Sequence, residues 1–325
     1  MSNLKLGITL YCFTKEYAEG KFDVFDCLKT AAEIGAKGFE IVGAQMVKGY
    51  PYVDDRFLGE LSAAAREYGL EPICYGANTD RGMLKNRDLT EQETLQRAIL
   101  DLKTANKLGC KVMRAQYLLS PNAMEKLAPY AEEYGIKVGI EIHNPETPTT
   151  PIMQEYLEAF ERTGSAYVGF VPDFGSFATK PNKPFWDLAV GQGAPVKLLE
   201  KAADLRYQDV PRDEARQILI EAGAGPEVLT AFENMYGFVT FYKNPDLAGL
   251  KKILPYCVHF HGKFHYVGED LTEASIPYEQ ILPIIADSTF DGYIMSEFEG
   301  HNFYDAVEMT KRHLLMEKKI LESLQ

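Results

Sequence analysis

The chain has 325 residues, 46% hydrophobic and 25% charged, enough to bury a large core within one barrel-sized domain over residues 1–325. Its 34 Lys and Arg stand against 47 Asp and Glu, a net charge of −13 with no basic stretch to interrupt it, and that sign opposes a phosphate backbone and excludes nucleic acid as a partner. No apolar run approaches the eighteen or so residues a bilayer span needs, and no basic patch with an apolar block precedes the strand-like residues 4–11, so a cytoplasmic chain without membrane contact is expected.

Short runs rich in Val, Ile and Tyr alternate with longer segments of helical period, which predicts strands and helices around a parallel sheet. The first strand is predicted over residues 6–11, and Gly35 closes the helix that leads to the second, 38–43. Gly69 ends the next helix before the third strand, 71–76. Thr90 with Glu93 forms a capping box, Leu95, Ile99, Leu102 and Ala105 make an apolar stripe, and Gly109 stops that helix before the fourth strand, 111–117. Ser120 and Pro121 start a helix that Gly135 closes, and strands follow at 137–143 and 167–173.

The rhythm then breaks, because about 80 residues separate Asp173 from Tyr256 where a crossover needs roughly a third of that. The surplus, residues 176–246, holds a Pro- and Gly-rich stretch (180–195) with the sole tryptophan, Trp186, and helical patterns at 196–205, 211–222 and 226–236. The last strands are predicted at 256–263 and 292–299. Eight such units predict an α/β fold, a (β/α)8 barrel with a helical insertion between strands 6 and 7. Segments after a strand's C-terminal end lie over the active-site face, so the insertion is either a lid or docking surface or an excursion that only stabilises the barrel. The Leu-, Phe- and Tyr-rich stretch 229–241 is likewise open between an interface and outer core. Five cysteines (Cys12, Cys27, Cys74, Cys110, Cys257), odd in number and set in apolar segments, read as core thiols.

Catalytic groups in such barrels lie at the C-terminal ends of strands. Four ends carry ionisable clusters: Glu141 and His143; Asp173; His259, His261 and Lys263; and Glu297, Glu299 and His301. Side-chain alternation puts Glu141 with His143, His259 with His261, and Glu297 with Glu299 on shared faces. One such residue alone would be a hydrogen-bonded polar group at a strand end. Carboxylates gathered from four neighbouring ends would suffer large desolvation costs, which a divalent cation resolves. An oxygen-rich set with one imidazole suits Mn2+ or Mg2+ better than structural zinc.

The segments GIEIHNP, VPDFG, VHFHGK and SEFEG, in this order, resemble the metal-binding strand ends of xylose-isomerase-like sugar (phosphate) isomerases and epimerases, and the resemblance covers essentially the whole chain. It implies a TIM barrel in which Glu141, Asp173, His261 and Glu297 hold a divalent metal, Mn2+ first, with Mg2+, Co2+ or Zn2+ as alternatives. His261 is preferred to His259 because His261, Gly262 and Lys263 match the family's His-x-Lys element. The chain departs from many epimerases of the family in having Ser176 three residues after Asp173, where they carry a second histidine. His143 beside the metal ligand points to a histidine base in place of paired carboxylates, and an imidazole of ordinary pKa near 6.5 accepts a proton at neutral pH without tuning.

The stretch GIEIHNPETPTTP, the long segment after VPDFGSFATKP and the overall length further resemble the large (alpha) subunit of bacterial C-glycoside deglycosidases. This implies a carbon–carbon lyase acting on a 3-keto C-glycoside made by a separate oxidase, with His143 removing the C2 proton and the aglycone leaving C1. It also implies a small second (beta) subunit in a hetero-oligomer. The alternative is a sugar (phosphate) isomerase or 3-epimerase with the same metal site, since both reactions begin with proton removal beside a carbonyl. A scaffolding barrel completed by a partner chain is a third reading. The DNA-repair branch of the fold needs more strand-end histidines than the 6 in this chain supply. Candidate substrate contacts are Arg114 and Lys263, with salt bridges to strand-end carboxylates as their equal alternative, together with Glu299 and His301, which also suit a ligand-orienting shell. Tyr11, Phe13, Phe174 and Trp186 are candidates for an aromatic wall, against the plainer reading as core.

Overall fold

The computed structural model describes residues 4–78, 81–115 and 119–324. Eight parallel strands run through them: β1 (Lys5–Thr9), β2 (Gly38–Val42), β3 (Glu71–Ala77), β4 (Val112–Ala115), β5 (Lys137–Ile142), β6 (Val168–Pro172), β7 (Phe260–Phe264) and β8 (Tyr293–Phe298). Their order is β6-β5-β4-β3-β2-β1-β8-β7, and parallel bridges at Phe170–Cys257 and Asp173–His261 bring the two edge strands together. The result is a nearly closed (β/α)8 TIM barrel.

Two strand boundaries differ from the sequence reading for local reasons. The first strand stops at Thr9, whose hydroxyl accepts a hydrogen bond from the Tyr11 amide at 3.3 Å and starts a 3-10 turn over Leu10–Phe13. The seventh starts at Phe260 rather than 256, because Leu254–Tyr256 form a 3-10 turn around Pro255, which has no amide hydrogen to give a ladder. The last two residues of the fourth predicted strand, Gln116 and Tyr117, lie outside the described residues.

The helix signals are realised where they were placed. Thr90 and Glu93 cap each other's backbone at the start of the helix Glu91–Leu108, and Gly109 ends it with φ 91°. Ser120 caps Pro121–Tyr134 and Gly135 closes it. All five cysteines are buried and unpaired. Among the described residues no helix is long and apolar enough to cross a membrane.

Between β6 and β7 the insertion contains a helix the sequence reading left as Pro- and Gly-rich chain, Lys183–Gly191. Asn182 caps it by accepting from the Phe185 amide, and Pro184 fits its first turn, where no amide donor is needed. Val196–Tyr207, Arg212–Glu221 and Pro226–Met235 follow close to their expected positions. Ala189, Ala194, Leu199, Val228 and Ala231 make a small core of their own with Trp186 against it. Leu205, Leu219, Phe232 and Phe241 join the main core. Each such large apolar side chain contributes about 1.5–3 kcal/mol on burial, so the insertion is anchored as well as self-packed.

Candidate metal centre and active site

Alternation along β5–β8 turns Glu141, His261, Lys263 and Glu297 inward, and Asp173 joins them just past β6. Glu141, Asp173, His261 and Glu297 each offer a ligand atom, and these atoms lie within 4.8 Å of one another. All four residues are buried. His261 Nδ1 stands 2.9 Å from Glu141 Oε1 and 3.3 Å from Glu297 Oε2, while Lys263 Nζ is 2.9 Å from Asp173 Oδ2 and 3.0 Å from Glu297 Oε2. Close as they are, His261 Nδ1, Asp173 Oδ2 and Glu297 Oε2 meet no neighbour with hydrogen-bond geometry. They are buried and gathered in one place without hydrogen-bond partners. Three carboxylates and one imidazole so arranged fit a hard divalent cation. His259 belongs to a different cluster, with Glu40 and Cys74.

The electrostatics are strained in opposite directions. Burial pushes the Asp173 carboxyl up to about 6 despite the Lys263 ammonium. For Glu141, burial works upward too, but Arg114 and His261 outweigh it and hold the group at about 2. Divergent pulls on neighbouring carboxylates are characteristic of functional sites.

His143, just past β5, is half-buried above this cluster. Its Nδ1 lies 2.8 Å from the Asn144 carbonyl oxygen. A carbonyl only accepts, so Nδ1 carries the proton and Nε2 keeps a lone pair. Nε2 is 3.4 Å from Lys263 Nζ. A small, partly open cavity lies here, lined by His143, Asp173, Lys263 and Glu299 with His265, Ser275 and Ile276 on one side. Lys180, Asn182 and Phe238 to Thr240, from the insertion, form the other wall.

The remaining candidates divide. Glu299 lines the cavity and accepts from Lys263 Nζ at 2.8 Å. Lys263 lines it too, paired with Asp173, Glu297 and Glu299. Arg114 is not among the lining residues: it is buried and donates to Glu40 at 3.2 Å and to Glu141 at 3.0 Å. His301 also stands apart, edge-on to Tyr11 and Phe298 at 5.3 and 5.0 Å between ring centroids. The expected aromatic wall is not formed by its candidates. Phe13 and Phe174 are fully buried, Phe174 against Phe260 and Tyr278; Trp186 packs on the insertion's core; and Tyr11 lies against His301. The aromatic side chain at the cavity is Phe238, 69% exposed and edge-on to the His143 ring at 6.2 Å. It lies in the Leu-, Phe- and Tyr-rich stretch 229–241, read from sequence as interface or outer core and not as part of the site.

Glu40 was also missed. It is fully buried on β2, with Oε2 2.9 Å from His261 Nε2 and 3.3 Å from His259 Nε2. The available signal was a single charge inside the apolar run GFEIVG.

A nearly closed eight-stranded barrel with an acidic, histidine-bearing cluster at its strand ends defines a TIM barrel with a candidate metal site. Residues 28–320 match the family described as xylose isomerase-like TIM barrel, and the chain belongs to that family, whose enzymes commonly use divalent metals. It is similar to the 3'-dehydrocarminate deglycosidase alpha subunit of a Microbacterium species, 32% identical with 97% of this chain and 94% of that protein covered. A C-glycoside deglycosidase alpha subunit of Arthrobacter globiformis is also 32% identical, over 99% of this chain and 94% of that one. Among solved structures, the 3-keto-D-glucoside 4-epimerase of E. coli shares the fold with a TM-score of 0.57 at 13% identity, covering 97% and 99% of the two chains. The family and these relatives mark the chain as an enzyme.

Proposed function

We propose that the chain is the large (alpha) subunit of a C-glycoside deglycosidase, a carbon–carbon lyase acting on 3-keto C-glycosides. The observation that carries this reading is His143 at the cavity that Asp173, Lys263 and Glu299 also line, with Nδ1 committed to the Asn144 carbonyl and Nε2 turned to Lys263 Nζ at 3.4 Å, beside the candidate ligand set. The near full-length similarity to deglycosidase alpha subunits supports it.

Glu141, Asp173, His261 and Glu297 would hold the divalent ion, with Mn2+ the first candidate. When bound, the ion supplies electrophilic stabilisation of the negative charge that develops on the keto and adjoining oxygens. His143, with Nδ1 committed to the Asn144 carbonyl, takes the C2 proton at Nε2. The electron pair of the broken C2–H bond becomes the C1=C2 double bond as the C1–aglycone bond breaks. The aglycone carbon departs with that bond's pair and is reprotonated, the proton on Nε2 being the one at hand. Lys263 places an ammonium beside the same oxygens. Arg114 acts from below by holding Glu141 rather than by touching substrate.

Residues 176–246 act as a wall and cover for the site, in which Phe238 offers its face to a flat aglycone. Since the relatives are named alpha subunits, the working enzyme is read as a hetero-oligomer with a small beta subunit.

The test is to incubate the chain, with a beta subunit and Mn2+, with a 3-keto C-glycoside and to measure free aglycone. The reading expects aglycone release and a fall in kcat of about 10²–10⁴ for His143→Gln at unchanged metal content. A ketose epimerised at C3 with no aglycone released would replace it with the isomerase or epimerase reading.

A further inference from the structure

We infer that Glu40 is a positioning residue for the metal centre, one carboxylate that sets the ring of His261 directly and the side chain of Glu141 through Arg114. The inference rests on the metal-ligand part of the reading above and not on the lyase chemistry.

Glu40 reaches its partners across the barrel lumen, since β1 and β8 separate β2 from β7 in the sheet. Its Oε2 lies 2.9 Å from His261 Nε2. A carboxylate accepts, so Nε2 carries a proton, and Nδ1, the atom that faces Glu141 and Glu297, is the nitrogen that would meet the ion. The other oxygen, Oε1, accepts from Arg114 Nε at 3.2 Å, and Arg114 Nη1 donates to Glu141 Oε2 at 3.0 Å. That engages one oxygen of Glu141 and leaves Oε1, 2.9 Å from His261 Nδ1, to point at the centre. Two of the four ligands are thus oriented from one group. Room for the link comes from Gly76 on β3: a Cβ there would stand 2.9 Å from Arg114 Nη2 and 3.2 Å from Glu40 Oε1. Carboxylates that accept from the non-coordinating nitrogen of a ligand histidine fix its tautomer and raise its basicity.

The experiment compares wild type, Glu40→Gln, Glu40→Asp and, as a control for a buried carboxyl that faces Ser296 and Gly262 and not the ligand atoms, Glu317→Gln. Dissociation constants for Mn2+ and Zn2+ are measured by chelator competition, ring 15N shifts of His261 are recorded with Zn2+, and folding is followed by circular dichroism. Glu40→Gln should bind metal about 10–100-fold more weakly and move the His261 Nε2 resonance away from its carboxylate-bonded position, with Glu317→Gln unchanged. Glu40→Asp keeps the charge but withdraws it from His261, and should also weaken binding, which separates position from charge; it decides the matter alone if Glu40→Gln does not fold. Both Glu40 variants binding as tightly as wild type, with the same His261 Nε2 resonance, would overturn the inference while leaving the metal site standing. A wild-type chain that takes up no ion would overturn the metal reading and this inference together.

Discussion

Glu317, on the last helix Ala306–Ser323, shows how one buried proton is assigned by its neighbours. Tyr278 donates its hydroxyl hydrogen to the Lys263 carbonyl at 2.7 Å, so His313 Nε2, 2.7 Å from the Tyr278 oxygen, must donate to it. Burial holds His313 well below the usual imidazole range, so the ring is neutral and Nδ1 accepts from Ser296 Oγ at 2.9 Å. With the Ser296 hydroxyl shared with His313, Glu317 Oε2 receives at most a long contact from it at 3.4 Å and Oε1 has no hydrogen-bond partner, so little offsets the burial of a charged carboxylate. Burial indeed pushes the Glu317 carboxyl well above its ordinary value. The folded chain therefore holds a proton that the unfolded chain releases above about pH 4.3, and stability falls as pH rises from there toward the raised folded value. Glu317→Gln removes the linkage while keeping the shape. Urea unfolding from pH 4 to 8 should find the variant more stable than wild type at pH 8, with the difference vanishing near pH 4. At the site itself, Glu141→Ala and Glu297→Ala should each lose bound metal and turnover, read by elemental analysis and aglycone release.

At the scale of elements, the seam between β6 and β7 is the tightest constraint. A Cβ on Gly169 would stand 2.0 Å from the Tyr256 carbonyl oxygen, a backbone atom with nowhere to go. Gly169→Ala should therefore cost at least about 1–3 kcal/mol in denaturant unfolding. Gly7→Ala should also destabilise, because besides the flexible Met295 Sδ at 2.4 Å its Cβ would meet the Gly38 carbonyl oxygen at 2.7 Å. The insertion has a functional counterpart to this packing argument, since it carries Phe238 to the cavity. Phe238→Ala should raise KM for substrates with an aromatic aglycone by about tenfold, the equivalent of a lost ring contact, and leave KM for a 3-keto sugar without a ring nearly unchanged.

For the whole molecule, a divalent ion held by the buried cluster of three carboxylates and an imidazole would couple metal binding to folding. Metal present at a hundred times its Kd should stabilise the fold by about 2.7 kcal/mol, so chelator should lower Tm and added Mn2+ restore it in a concentration-dependent way. A Tm indifferent to both would count against the site.

The repeating strands, the helix caps at Thr90 and Ser120, and the ionisable groups at four neighbouring strand ends could be read from the chain because they are local. Period, capping and turn chemistry act over a few residues, and a polar residue at the end of an apolar strand announces itself. The pairing of Glu40 with His261, 221 positions apart, and the capture of Arg114 by two carboxylates became visible only once the barrel closed and faced β2 across its lumen to β7. Phe238 belongs with them. Which loop residue meets His143 depends on how four inserted helices pack, and no short-range rule encodes that.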